Sequence, residues 1–182
     1  MKIRLSGILV LVACLAVINL ASADDVQSGP TKKTGGPFQV KAITGEMAGK
    51  QLCYVCKYNA EARPAVVLIF SQKADENIAT VVKAVDAVQK TNGKLGTVLV
   101  GVGGVEAADL EKLQTTHKLT TALTIAVDKD GPAAYKLNKD AVVTVLVYGK
   151  GGSISKNFAF SDTKAAAAKA SEIAAAAQDQ LK

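Results

Sequence analysis

Two cysteines separated by two residues carry the only concentrated chemistry in this sequence. They are Cys53 and Cys56, within Gln51-Leu52-Cys53-Tyr54-Val55-Cys56-Lys57-Tyr58. The spacing lets two sulfurs come within bonding or metal-sharing distance. As a staple the pair is weak: closing so short a loop is worth about 2 kcal/mol, against about 4.7 for a hundred-residue loop. Reversible redox chemistry or metal ligation suits it better. Lys50, Lys57 and Arg63 lie close in sequence, and positive charge favours a thiolate at either sulfur. In the redox reading one thiolate attacks a partner's disulfide and the other resolves the mixed disulfide. The residues alone leave four states open: an inert local disulfide, a working redox pair, part of a metal site, and free thiols. A tetrahedral zinc site wants four protein ligands, and only His117 adds an imidazole. No metal and no cofactor is therefore expected, and Cys53 and Cys56 stand as the candidate catalytic pair.

Other motifs reduce to turns. Gly101-Val102-Gly103-Gly104 has the placing of a phosphate-binding turn, but Glu106 occupies the sixth position of the pattern and its carboxylate opposes phosphate. Gly149-Lys150-Gly151-Gly152 lacks the upstream glycine spacing and the hydroxyl residue of a P-loop. Asp128-Lys129-Asp130-Gly131 offers too few oxygen ligands for an EF-hand. His117 is expected at a helix C-terminus, where the partial negative charge favours its protonated form. Tyr54 and Tyr58 are expected to serve local packing around the cysteines.

The elements that must position this pair begin with an address. Lys2 and Arg4 precede an apolar run from Leu5 to Leu20, and Ala21-Ser22-Ala23 comes before Asp24-Asp25. That order reads as a secretory signal peptide over 1–23, and a run of 16 positions is short for a spanning helix, which needs about 20. The mature chain is expected to have no membrane span and to be periplasmic or secreted. Leu11-Val12-Ala13-Cys14 is a competing lipid-anchoring cut, opposed by the apolar Leu15-Ala16-Val17-Ile18 that follows. Of 182 residues, cleavage after Ala23 leaves 159, and losing Lys2 and Arg4 lowers the formal charge from +6 to +4. Export and an aromatic content of 4% both oppose nucleic-acid binding. Only one of the three cysteines lies outside the pair, which excludes a disulfide-dense scaffold.

Residues 24–37 (DDVQSGPTKKTGG, then Pro37) read as a flexible leader. One domain is expected over 38–182. Phe38 to Ile43 alternates as a short strand, followed by a turn from Gly45 to Lys50. Ala65 to Phe70 is a continuous apolar run, as in a strand buried on both faces. Ile78, Val81, Val82, Val85 and Val88 recur at helical spacing within Asp75 to Thr91, with Asn92-Gly93 as the stop. Thr97 to Val102 and Leu123 to Val127 are further strands, separated by a helix over Glu106 to His117. Pro132 to Leu137 allows one helical turn. Val142 to Tyr148 and Ser153 to Phe160 form a hairpin, and an alanine-rich helix runs from Ser161 or Asp162 to about Leu181. Helices between strands favour parallel pairing, with an antiparallel pair at the end.

This order resembles the thioredoxin-like superfamily, including its peroxiredoxin-like members, from about Phe38 to Leu181. The Leu-Cys-Tyr-Val-Cys segment before the first long strand also looks like that of exported redoxin-type proteins of bacteria. The resemblance implies an α/β three-layer fold, a central mixed sheet flanked by helices with an N-terminal strand extension. It also implies thiol–disulfide exchange with a protein thiol or disulfide partner. This sequence departs from the family pattern twice. Family cysteines follow the first buried strand, where this chain has Ser71-Gln72-Lys73-Ala74-Asp75, and the family's cis-proline position is matched by Val143-Thr144. The rival expectation is therefore a non-catalytic envelope binding module whose disulfide is purely structural.

Overall fold

A computed structural model describes residues 26–182. The signal segment over 1–23 and Cys14 lie outside these residues.

Seven strands form one mixed sheet. In chain order they are β1 (Val40–Ala42), β2 (Gln51–Leu52), β3 (Ala65–Ser71), β4 (Leu95–Gly101), β5 (Ala122–Ala126), β6 (Val143–Gly149) and β7 (Ile154–Phe160). In space the order is β2-β1-β5-β4-β3-β6-β7. The middle three, β5, β4 and β3, are parallel, while β6, β7, β1 and β2 add antiparallel pairs on either side. All seven residues of β3, β4 and β6 are buried, because their apolar runs are covered on both faces.

The period-two alternation of β3 divides the core. Ala65, Val67 and Ile69 face a layer of four helices, α2 (Glu76–Thr91), α3 (Ala107–His117), α4 (Thr163–Ala168) and α5 (Ala170–Asp179). Val66, Leu68 and Phe70 face the opposite layer, made by helix α1 (Tyr54–Ala60), Tyr135 and Phe38. Phe38, Phe70 and Tyr135 pack with ring centres 5.0–5.7 Å apart. Helix α2 turns Ile78, Val81, Val82, Val85 and Val88 inward, the stripe read from its sequence.

Three expectations change. First, α1 was unanticipated between the N-terminal turn and the first long strand. Second, the expected single C-terminal helix is broken at Lys169, whose φ of −99° and ψ of 5° leave helical values. The break lets α4 lie against β7 and α5 against β6, so that Ala166, Ala170, Ile173 and Ala177 all reach the same core. Third, the described part of the leader, residues 26–37, read as flexible, is hydrogen-bonded to the fold. The Ser28 hydroxyl lies 2.7 Å from that of Thr144, and Asn157 Nδ2 donates to the carbonyls of Ser28 and Pro30. Thr34 N donates to Gly152 O, Ile154 N to Lys32 O, and the Tyr135 hydroxyl to Gly36 O. Its polar composition follows from this pairing: a segment that replaces water by side-chain amides and carbonyls needs polar groups of its own.

One buried carboxylate ties the helical layer to the sheet. Asp86 of α2 accepts from the amides and hydroxyls of Thr120 and Thr121 just before β5 and pairs with Lys90 at 2.8 Å. Burial opposes its charge, but the partners Lys90, Thr120 and Thr121 outweigh it and hold its pKa below the ordinary aspartate value.

Candidate functional site

Cys53 and Cys56 are joined in a disulfide, with Cα atoms 5.2 Å apart. The pair opens α1. Cys53 is the residue that caps this helix, in extended backbone, and its Sγ accepts from Cys56 N at 3.0 Å. The sulfur thus takes the place usually filled by a hydroxyl or carboxylate oxygen, and satisfies one amide that the helix leaves without a partner. Cys53 is half-buried; Cys56 is exposed.

Tyr54 and Tyr58 hold the helix down. Spaced four apart, they share its buried face, with ring centres 5.6 Å apart. The Tyr58 hydroxyl donates to Thr97 O at 2.7 Å. Burial first, then the neighbouring Tyr54, pushes its pKa well above the ordinary phenol value, so it remains a donor at neutral pH. Arg63 lies over the Tyr58 ring at 5.2 Å and donates through Nη1 to the carbonyls of Gly93 and Leu95. Packing around the cysteines is therefore the role of both tyrosines, as expected.

The local cations are committed elsewhere. Lys57 pairs with Glu61 within α1 and its cap, and Arg63 Nε donates to the same carboxylate at 2.6 Å. The hydrogen bond from Lys57 is the leading cause of a Glu61 pKa below the ordinary glutamate value, with Arg63 adding to it against partial burial. Lys57 and Arg63, the cations expected to favour a thiolate, thus share the single carboxylate of Glu61, which offsets one of their two charges. Lys50 lies at the end of the turn before β2, exposed.

Beside the disulfide runs a groove of about 440 Å³, lined by Cys56, Val55, Val66, Tyr148 and two distant segments, Lys33–Pro37 and Gly149–Gly152. The sequence reading missed Tyr148, Lys33 and Lys150 as site residues. They lie far from the cysteines along the chain, and only the pairing of the leader with the β6–β7 turn brings them together. The i, i+4 tyrosines were a legible signal for α1.

The family's usual cysteine position, at the carboxyl end of β3, is built otherwise. Gln72 N donates to Val142 O, and Gln72 Nε2 bridges to the carbonyls of Lys139 and Ala141 at 2.9 and 3.0 Å. Ser71 Oγ donates to Lys73 O. Asp75 caps α2 by accepting from the amides of Asn77 and Ile78, and also accepts from the Thr163 hydroxyl at 2.7 Å. Ser71 pairs with Val143, which places the expected cis-proline position beside it. The remaining space there is about 120 Å³.

The other candidates resolve as turns and contacts. Gly101–Gly104 is a strand-to-helix turn whose Gly103 N donates to Lys129 O. His117 closes α3, with Nε2 3.0 Å from a Glu76 carboxylate oxygen. Among the described residues, no group of three or more His, Cys, Asp or Glu side chains gathers as a metal site, and no helix is long and apolar enough to cross a membrane.

No protein-family model and no curated protein sequence matches the chain. Solved structures do. A Bacteroides thetaiotaomicron protein provisionally assigned as a disulfide isomerase superposes with a TM-score of 0.59 at 14% identity, over 84% of this chain and 95% of its own. A peroxidoxin of Mycobacterium tuberculosis gives 0.54 at 16% identity, over 82% and 97%. A secreted thiol-disulfide isomerase of Corynebacterium glutamicum gives 0.54 at 12%, over 77% and 84%. The fold of this chain is thioredoxin-like.

Proposed function

We propose that this thioredoxin-like chain is an exported thiol–disulfide exchange protein whose reactive pair is Cys53 and Cys56. One observation carries the reading: Cys56 is exposed on the wall of an open groove. An incoming thiolate needs access to a sulfur along the S–S axis, and a staple buried away from any cleft denies it. The exchange balances within the pair. A substrate thiolate, having given up its proton to solvent, bonds to Cys56 Sγ as the Cys53–Cys56 bond breaks and Cys53 leaves as thiolate. The amide of Cys56 already donates to that sulfur and stabilises the departing charge. A second substrate thiolate then attacks the substrate sulfur of the mixed disulfide and displaces Cys56. The substrate is oxidised by two electrons, and Cys53 and Cys56 take up two protons as they are reduced. Partners are protein thiols, and the proposed location is outside the cytoplasm, where the signal segment over 1–23 directs the chain.

The carboxyl end of β3, which carries no cysteine and spends its polar groups internally, favours a second reading, a binding module with a structural disulfide. A redox titration of the purified protein, with Cys53→Ser and Cys56→Ser controls, separates them. Exchange requires a reversible two-electron couple between about −120 and −270 mV. A disulfide reduced only below about −300 mV is structural.

A further inference from the structure

The groove beside Cys56 has a composition of its own. Its walls are apolar or aromatic at Val55, Val66 and Tyr148, its lining includes Lys33, Lys150 and the Glu61-paired Arg63, and among the described residues no Asp or Glu lines it. Tyr148 lines it while only 5% exposed, and its hydroxyl, buried, has no hydrogen-bond partner. Burial pushes that phenol well above its ordinary pKa, so the group is a proton donor in need of an acceptor. An unpaired buried hydroxyl is costly and is satisfied when a ligand supplies a carbonyl. The rim is bare main chain at Gly36 and Gly151, where nothing lies within 4 Å of the space a Cβ would fill. A strand-like ligand can therefore approach the backbone closely. The volume, about 440 Å³, falls in the range of ligand clefts, about 300–1,000 Å³.

We propose that this groove is a recognition surface for an extended polypeptide segment in which apolar and acidic residues flank the reacting cysteines. The inference rests on the exchange reading for its chemistry and adds the identity of the substrate class. The segment's apolar side chains lie against Val55, Val66 and the Tyr148 ring. One of its carbonyls accepts from the Tyr148 hydroxyl, and its carboxylates face Lys33 and Lys150. This arrangement sets a segment thiol against Cys56 Sγ. The oxidant is the Cys53–Cys56 disulfide itself, so no further co-reactant enters. The site lies at the amino end of β3 and is walled by the leader, which gives the leader a part in recognition.

Two synthetic peptides test this on the full chain. One places leucine and glutamate around a Cys-x-x-Cys pair; the other places serine and lysine there. Dithiothreitol serves as the small-dithiol reference. The acidic, apolar peptide is expected to be oxidised about tenfold faster than the basic one, each rate taken relative to dithiothreitol, as two favourable charge contacts and apolar burial predict. Lys33→Glu with Lys150→Glu reduces that preference below about twofold, and Tyr148→Phe weakens the peptide's relative rate by about threefold, the scale of one hydrogen bond. Equal rates for the two peptides, or a preference that survives charge reversal, overturn the proposal. A redox-inert copy of the acidic peptide, with serine for cysteine, is expected to shift the backbone amide resonances of Val55, Gly151 and Gly152. No shift at millimolar peptide overturns the groove even where exchange proceeds. A disulfide that resists dithiothreitol while those resonances still shift overturns the exchange reading and upholds the groove as a peptide site.

Discussion

The two ends of β3 are built differently. At the carboxyl end, Ser71 to Asp75 spend their polar groups on Val142, Lys139, Ala141, Lys73 and the first turn of α2. At the amino end, about five residues or roughly 16 Å away along the strand, Val66 and Tyr148 floor a groove edged by an exposed sulfur. The first region spends its polar groups on internal hydrogen bonds; the second holds a disulfide and a buried hydroxyl with no partner among the described residues. A thioredoxin-like sheet therefore does not by itself fix where chemistry resides.

Substitutions can break this contrast. The largest effect belongs to Cys56→Ser, which is expected to abolish exchange with dithiothreitol while lowering stability by about 2 kcal/mol, the value of so short a loop. Paired kinetics and denaturant melts check it. Activity that persists in Cys56→Ser would place the chemistry elsewhere.

Asp86→Ala comes next, because it strands the amides and hydroxyls of Thr120 and Thr121. A loss of about 3 kcal/mol in unfolding free energy is expected. The same carboxylate sets a pH dependence. Its folded pKa lies below the unfolded value, so its stabilisation is complete above the unfolded pKa and disappears as pH falls through the folded one. Melts at pH 7 and pH 3 should therefore differ less in Asp86→Asn than in the wild type.

Asp75→Ala tests the carboxyl end directly. It removes the α2 cap and the Thr163 contact, and about 2 kcal/mol of stability is expected to go with them. Exchange kinetics below the melting transition should be unaltered, since that end of β3 is scaffold. The smallest effect is that of Glu61→Gln, which frees Lys57 and Arg63. Added positive charge near the pair stabilises the reduced form and raises its potential by about 10 mV, equivalent to about 0.5 kcal/mol. A fall in potential would show that Glu61 acts by another route.

Much of the architecture was legible because it is written in local periodicity. The apolar run of Ala65 to Phe70 and the valine stripe of Val81 to Val88 each specify an element without reference to any other. The same reasoning located the Cys pair and dismissed the glycine turns. It missed α1, whose one sequence signal is the i, i+4 pair Tyr54 and Tyr58 and whose hold on the fold is Tyr58 reaching Thr97, 39 positions along the chain. The leader's contacts were not legible either. Polar, glycine-containing sequence reads as solvated until Asn157 and Thr144 supply partners more than a hundred residues away.

By itself, then, the sequence determined the order of the long strands and of the helices between them, their buried faces and the close cysteine pair, because these depend on residue type and short-range spacing. Tertiary structure alone decided that Cys56 is exposed and Cys53 half-buried, that Lys57 and Arg63 share the Glu61 carboxylate, and that Lys33, Tyr148 and Lys150 line one groove with Cys56. Exposure and proximity come from which distant segments pack together, and burial leaves the Tyr148 hydroxyl without a partner among the described residues.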